Sequence, residues 1–384
     1  MTFRAIVLFI LGLSYSLTAD YSWQRSPAEP IVEKGVNALY NYQFSKAITL
    51  LDSARIIDPH HPLVPFVRIA AKWLHTQVNS GYAASYEVIL EEAKAAIPVY
   101  ENLITQFPQD PEYHLYLGST YGIRARIALA NKDWLDVLYN GYQGLKHIRK
   151  AKEMDDMLMD VYMPMGIMSY FACMSPVPVQ WAAAIVDLSS DCEVGLAQLN
   201  IASDKSHYSW MEASNVLSYI YLHIQRDYSN AEKVITPLVD EFPGHPYFAF
   251  LKGELLAKTQ KWDELDELMP ALREFASEGP FLQKNECQLK LAYIEGLTAF
   301  YHQDFITAIN KCNWMLINYQ MEFDWLKGFS YFLRGQSYEQ NDDFGLAVAD
   351  FKEVLKMDSY YPEVEEAKKW VEEIGDRRYK SVPK

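Results

Sequence analysis

A glycine followed twelve residues later by a small residue recurs along this sequence, and it constrains the fold more than any other feature. Near the C-terminal end, Gly335 is followed by Ala347 and then by Phe351. The same register recurs at Gly35, Ala47, Leu51, Ala54 and Pro59, at Ala231, Ile235, Leu238 and Pro243, at Gly253, Leu265, Met269 and Leu272, and at Gly296, Ala308 and Cys312. Apolar residues recur at helical spacing nearly everywhere. The spacing predicts helical hairpins, because small residues let two helices approach and large residues fill the gap to the next pair.

This register resembles that of the tetratricopeptide repeat, in which an aromatic residue, a glycine and a second aromatic residue precede the small residue. Tyr331, Gly335 and Tyr338 stand at those three positions before Ala347. We therefore predict an all-α fold, a tetratricopeptide-like helical-hairpin solenoid of seven or eight helix pairs. A single solenoid is expected over residues 20–384, with no clean linker.

The central part of the sequence, about residues 110–205, departs from the register. Its first helix is predicted from about Glu112 to Asn131, and the next helix begins near Trp134. This unit is longer than the others by about seven residues, or about two helical turns, which keeps the apolar face in phase. Prolines at 164, 176 and 178 interrupt the following stretch. We predict an irregular insertion region here.

The central and C-terminal segments resemble the tetratricopeptide-39 family, which includes the fungal inclusion-body-clearance proteins. The matching landmarks are Gly166-Ile167-Met168, Pro176 with Pro178, the run Asp191–Leu199, Phe242-Pro243, and the tryptophan-led unit Trp325–Leu355. The resemblance covers about residues 110–356. It implies the same helical architecture and brings no catalytic residues.

The first nineteen residues are predicted to be a cleaved signal peptide. Arg4 supplies a positive charge, the stretch from Ala5 to Ala19 is uncharged and apolar, and Leu17-Thr18-Ala19 is an acceptable cleavage site. Fifteen residues are fewer than the ~20 needed to span a bilayer. We expect the mature chain to be extracytoplasmic, either periplasmic or secreted, without stable membrane insertion.

The net charge excludes one class of partner, and the cysteines leave the number of disulfide bonds open. The formal net charge of −15 repels phosphate backbones, so nucleic acid is not expected as a partner. The four cysteines, Cys173, Cys192, Cys287 and Cys312, permit two bridges in three connectivities, and the sequence does not decide whether any forms. The register places Cys312 in a core position.

Signatures of catalysis and of metal or cofactor binding do not occur in the sequence. It contains no phosphate-binding glycine loop, no Gly-x-Ser-x-Gly and no His-Glu-x-x-His. The nine histidines are dispersed, and the adjacent pair His60-His61 is expected in a solvated turn. An enzyme on a helical toroid would need inward-facing carboxylates or histidines on consecutive hairpins, and the register does not supply them. We predict no catalytic residues, no metal and no cofactor.

The first helix of each hairpin should line the inside of the solenoid, where ligands of tetratricopeptide repeats bind. The inward positions predicted to contact a partner are Val216, Ile220, Phe250, Tyr293, Leu297 and Phe332. They are apolar, so a lysine-and-asparagine clamp for a terminal carboxylate is not expected. They form either an apolar groove or, in a tightly wound superhelix, part of the core.

A second candidate surface is the methionine-rich centre. Tyr162, Met165 and Tyr170 belong to it, and flexible methionines beside aromatic side chains suit either an adaptable binding surface or an irregular core. The function predicted from all these features is an exported, non-catalytic scaffold that binds a protein or peptide through its apolar concave surface. The alternative is an extracytoplasmic solute-binding protein for a glycan or a lipid.

Overall fold

The computed structural model of the protein describes residues 23–380 except Lys132, Pro176 and Val186. The predicted signal peptide lies outside the described residues. The α-helices run α1 Glu29–Tyr40, α2 Phe44–Ile57, α3 Val64–Ser80, α4 Tyr82–Gln106, α5 Pro111–Ala130, α6 Trp134–Met154, α7 Tyr162–Met174, α8 Val177–Ile185, α9 Cys192–Lys205, α10 Trp210–Tyr219, α11 Tyr228–Glu241, α12 Pro246–Lys258, α13 Trp262–Ser277, α14 Phe281–Tyr301, α15 Phe305–Asn318, α16 Trp325–Gln340, α17 Phe344–Val354 and α18 Pro362–Lys380. No strand occurs within the described residues. The predicted all-α class is confirmed.

Consecutive helices pack as hairpins, and the hairpins stack on one another in chain order. The small and large residues of the predicted register lie where two helices touch. Those that are completely buried are Ala47, Leu51, Ala54, Ala231, Ile235, Leu238, Leu272, Ala308, Cys312, Ala347 and Phe351. The fold is therefore the helical-hairpin solenoid that the register predicts.

The backbone conformation of the turns recurs with the same period as the sequence register. In four hairpins the residue seven positions after the glycine adopts a left-handed conformation and turns the chain between the two helices. These residues are Tyr42, Gln260, Gln303 and Asp342, with φ between 56° and 64°. Arg226, with φ of 51°, makes the same turn between α10 and α11. The periodic register thus fixes where each hairpin turns as well as which faces meet.

The buried position of Ala347 leads to a first prediction. Ala347→Leu should lower the free energy of unfolding by about 1–3 kcal/mol, because the added carbons would overpack the contact between α16 and α17. The measurement is urea unfolding followed by circular dichroism. Ala83→Leu at an exposed position of α4 is the matched control and should be near neutral. A leucine variant as stable as wild type would contradict the C-terminal register.

The irregular centre has a simple structural basis. Helices α5 and α6 are longer than most of their neighbours and end and begin close to the predicted residues. After them α7 packs mainly on α9, and the short helix α8 lies between the two in sequence. Cys173 at the end of α7 forms a disulfide with Cys192 at the start of α9, with Cα atoms 5.4 Å apart. Cys287 and Cys312 are free and buried.

The solenoid winds tightly enough for its first helices to contact helices of the second half. The ring of Tyr40 in α1 lies 5.0 Å from that of Phe242, and its hydroxyl donates to Glu212 at 2.7 Å. The Asn41 side chain accepts from the Gly244 amide at 3.0 Å. The α3–α4 hairpin likewise reaches α14. The inner face of the solenoid is therefore largely covered by the chain itself.

The expectation that His60-His61 forms a solvated turn is wrong for the second histidine. His61 is buried, and its Nε2 lies 2.7 Å from a carboxylate oxygen of Glu29 in α1. The hydroxyl of Tyr208 also contacts that carboxylate. A short-range pattern at residues 60–61 could not indicate these partners, because they come from α1 and from the loop before α10.

Candidate functional site

The predicted inward positions are occupied by packed side chains. Ile220, Phe250, Tyr293, Leu297 and Phe332 are buried, and only Val216 is half-buried. Each makes apolar contacts with neighbouring helices, as expected from the core alternative that the sequence left open. Binding of a partner by these six side chains stays a prediction.

The methionine-rich centre is also packed. Tyr170 is buried in α7, and Tyr162 and Met165 are half-buried against the same core. The ammonium group of Lys152 lies 4.7 Å from the centre of the Tyr162 ring. Part of this surface remains accessible, and its role in binding also stays a prediction.

The open part of the inner face is a cavity of about 770 Å³. The first helices of the last four hairpins, α10, α12, α14 and α16, form one wall, together with the loops before α16 and after α17. Gln77 of α3 and Phe171 of α7 close it from the other half of the solenoid. Eight aromatic side chains line it: Phe171, Tyr219, Tyr247, Phe323, Trp325, Tyr331, Tyr360 and Tyr361.

The cavity wall also carries charge, which departs from the apolar groove predicted from the register. Its carboxylates belong to Glu286, Glu322, Asp324, Glu353 and Asp358, and its ammonium groups to Lys290, Lys327 and Lys356. Most are held in place by partners within the protein. Glu322 accepts from Arg126 at 3.1 Å, and Lys356 pairs with Glu353 at 2.7 Å. The cavity can therefore offer aromatic faces and hydrogen bonds without a large net charge.

Two of the tyrosines that line the cavity have hydroxyl groups in contact with each other. Those of Tyr219 and Tyr361 hydrogen-bond to each other across the junction of α10 with the segment before α18. Burial raises the pKa of both phenols above the ordinary value. They consequently remain protonated and can donate to a ligand or to each other.

A small recess connects the cavity to two of the predicted positions. Phe250 and Tyr293 line it together with Tyr247, Lys290 and Trp325, and the last three also line the cavity. Phe250 and Tyr293 thus stand one layer behind the accessible wall. These two predicted residues therefore lie on the same face of the solenoid as the cavity, but other side chains reach its opening.

Nine of the twenty cavity residues, none of which sequence reasoning identified, lie in connecting segments rather than in the helices of the repeat. Residues 321–324 precede α16, and residues 356–361 follow α17. The adjacent pair Tyr360-Tyr361 and the sequence Phe323-Asp324-Trp325 were the available signals. Binding residues often lie on connecting segments that a rigid scaffold positions.

One group of described residues could hold a metal ion. The ligand atoms of Glu29, Glu33 and His207 all lie within 4.8 Å of one another. Glu29 already contacts His61 and Tyr208, and hydrogen bonds from its neighbours lower the pKa of its carboxyl to about 2 against the effect of burial. The arrangement is explained by these internal contacts.

A buried histidine lies behind the same inner face. His223 is completely buried in a single π-helical turn, Ile220–Ile224, between the rings of Tyr219, Trp325 and Phe329. Neither ring nitrogen forms a hydrogen bond with the residues that the structure describes, and Nδ1 lies 3.4 Å from a carboxylate oxygen of Glu254. Burial, and then the positive charge of Lys258, lower its pKa well below the usual value, although the carboxylate of Glu363 acts in the opposite direction. Burial also lowers the pKa of His245 in this way.

Because these two histidines are buried in the neutral form, we expect acid to lower the free energy of unfolding. The unfolded chain takes up protons near pH 6.5 whereas the folded chain does not, so stability is complete above that pH and falls below it. The slope should reach about 1.4 kcal/mol per pH unit for each histidine. The measurement is urea unfolding between pH 7.5 and 5.5, in which His223→Leu should reduce the slope and exposed His302→Leu should not. An unchanged slope in the first variant would contradict the prediction.

The comparisons with known proteins concern the fold alone. No family model and no curated protein matches the chain. Among solved structures, yeast Tom70 is 11% identical with a TM-score of 0.38, covering 92% of this chain and 90% of its own. A human IFIT1 dimer with PPP-AAAA is 12% identical with a TM-score of 0.42, covering 93% and 89%. The TPR domain of P58(IPK) is 13% identical with a TM-score of 0.26, covering 93% and 99%.

The fold assignment rests on the helical hairpins themselves, and these likenesses add nothing about a ligand. The resemblance to the tetratricopeptide-39 family stays a prediction. Among the described helices, none combines the length and the apolar character that crossing a bilayer requires.

Proposed function

We propose that this chain is an exported, non-catalytic binding protein that holds a segment of a partner protein in the cavity of its inner face. The observation that carries the proposal is the lining of that cavity. Eight aromatic side chains surround it, and its charged groups are mostly paired. Tyrosine and tryptophan are enriched where proteins bind one another, because they bury a large area and keep a polar group available.

Two features support export. The N-terminal nineteen residues have the composition of a signal peptide. The disulfide between Cys173 and Cys192 suits an oxidising compartment, since cytosolic thiols are kept reduced. In a cell fraction outside the cytoplasm, the mature chain should lack residues 1–19 and carry this bond in non-reducing peptide mapping.

The second candidate is a solute-binding protein, and the size of the cavity favours it. A volume of about 770 Å³ lies within the ~300–1,000 Å³ typical of small-molecule sites. Aromatic faces and fixed carboxylates would suit the apolar and hydroxyl surfaces of a glycan. The two candidates share one site and differ in the chemistry of the ligand.

One experiment separates them. Wild-type protein is applied to a peptide library and to a glycan array, beside the double variant Phe323→Ser with Tyr331→Ser. Phe323 is 51% exposed at the cavity, and Tyr331 is half-buried in its wall, so both should be replaceable with modest loss of stability. Phe281→Ser is the matched control, because Phe281 is 74% exposed and does not line the cavity.

Peptide binding that is lost in the double variant and kept in the control supports the proposal. Glycan binding with the same behaviour would replace it by the second candidate. If the double variant binds the ligand as well as wild type does, the cavity is not the binding site.

A further inference from the structure

A second pocket, of about 310 Å³, lies between helices α5 and α6. His114 of α5 lines it together with seven residues of α6: Tyr142, Leu145, Lys146, His147, Arg149, Lys150 and Glu153. The spacing of the α6 residues places them along one side of the helix. The pocket shares no residue with the cavity of the inner face.

The charge of this pocket is opposite to that of the chain. Lys146, Arg149 and Lys150 bring three positive charges to a protein whose formal net charge is −15. Its one carboxylate, Glu153, lies 3.7 Å from the Lys150 ammonium. Lys146 makes no ion pair with any residue that the structure describes. An excess of positive charge therefore remains within the pocket.

The pair of His114 and His147 adds one N–H group that can donate a hydrogen bond to a ligand. Their Nδ1 atoms are 2.9 Å apart, so one ring donates to the other. A neutral ring that accepts at Nδ1 carries its proton on Nε2, and that proton is available to a further acceptor. The His147 ring also lies nearly parallel to that of Tyr121, with the ring centroids 6.1 Å apart.

Arg149 is held at the edge of the same pocket. Its guanidinium donates to the carbonyl oxygen of Asp187 at 2.5 Å, which ties the side chain to the segment after α8. Lys146 and Lys150 are one helical turn apart on the same face of α6. Lys146, Lys150, Arg149 and the histidine pair thus line the same small pocket.

We propose that this pocket binds a phosphate group. A tetrahedral dianion offers several acceptor oxygens to donors that arrive from different directions, and ammonium and guanidinium groups form charge-assisted hydrogen bonds with it. A planar carboxylate would engage fewer of the four donors. The phosphate could be free or part of a lipid headgroup, and both sources supply the same chemistry.

The test uses the full mature chain and inorganic phosphate in isothermal titration calorimetry, with chloride added to hold the ionic strength constant. Lys146→Gln with Lys150→Gln should weaken binding at least tenfold. Lys34→Gln with Lys94→Gln removes two exposed charges elsewhere and should leave binding unchanged. In nuclear magnetic resonance titrations, phosphate should also raise the pKa of His147, which burial and the neighbouring His114 and Lys146 hold at about 4.

A vesicle assay distinguishes the two sources. Co-sedimentation with phosphatidylglycerol vesicles, compared with phosphatidylcholine vesicles, is measured for the same variants. Vesicle binding that is lost in the Lys146 and Lys150 variant assigns the site to a lipid headgroup, and phosphate binding alone assigns it to free phosphate. Absence of both, or equal binding by the two double variants, would overturn the proposal.

Discussion

Replacing Tyr293 and Phe332 together by serine should lower the free energy of unfolding by about 6–10 kcal/mol, because each loss of a buried aromatic ring costs about 3–5 kcal/mol. Tyr293 is only 4% exposed and Phe332 only 7%. The Tyr293 ring stacks 6.4 Å from that of Phe329, and the Phe332 ring lies 5.9 Å from that of Phe351. The two residues belong to different buried clusters, so their costs should add approximately.

The measurement is urea unfolding followed by circular dichroism, with partner binding assayed on the same samples. A solenoid can lose its end hairpins first, so an early transition of the C-terminal part is the expected form of the change. The control is Phe281→Ser with Ile317→Ser, which replaces two strongly exposed side chains and should change little. If the Tyr293 and Phe332 variant keeps its stability but no longer binds a partner, these residues form a groove and the packing described above is not that of the free protein.

The core of each hairpin could be predicted from the sequence because it depends on short-range spacing. Ala308 and Ala347 stand twelve residues after a glycine, and both are completely buried. The turn residues Gln303 and Asp342 follow the same period. Residues at a fixed spacing along a regular helix occupy fixed positions relative to one another, so the sequence pattern and the structure agree.

The covering of the inner face could not be predicted in this way. It depends on how much each hairpin rotates relative to the last, and small rotations accumulate along a solenoid. Tyr40 therefore meets Phe242, about two hundred residues later, without any local signal. The hydroxyls of Tyr82 and Tyr86 likewise reach carboxylates of Glu286 and Glu322. The predicted inward-facing positions are core for this reason, and loop residues form part of the cavity wall.

The α7–α9 contact gives the other large expected effect. Gly166 and Gly195 face each other where these helices cross, and the disulfide of Cys173 with Cys192 joins the same pair. A Cβ atom at Gly195 would lie 2.5 Å from the backbone nitrogen of Tyr170 and 2.8 Å from its Cα. A backbone cannot rotate away as a flexible side chain can, so the two helices would have to separate.

We therefore expect Gly195→Ala to destabilise the protein by about 1–3 kcal/mol or more, although alanine favours a helix over glycine by about 1 kcal/mol. Gly141→Ala in α6 is the matched control, because nothing lies within 4 Å of the added carbon. That variant should gain about 0.5–1 kcal/mol from helix propensity alone. The measurement is the urea midpoint of each variant under non-reducing conditions, so that the disulfide is equally present. If Gly195→Ala lowers the free energy of unfolding and Gly141→Ala raises it, the close approach of the two helices requires glycine at position 195. Conformational freedom of the backbone would then not be the reason for that glycine. A Gly195 variant as stable as the Gly141 variant would mean that α7 and α9 do not cross at this distance.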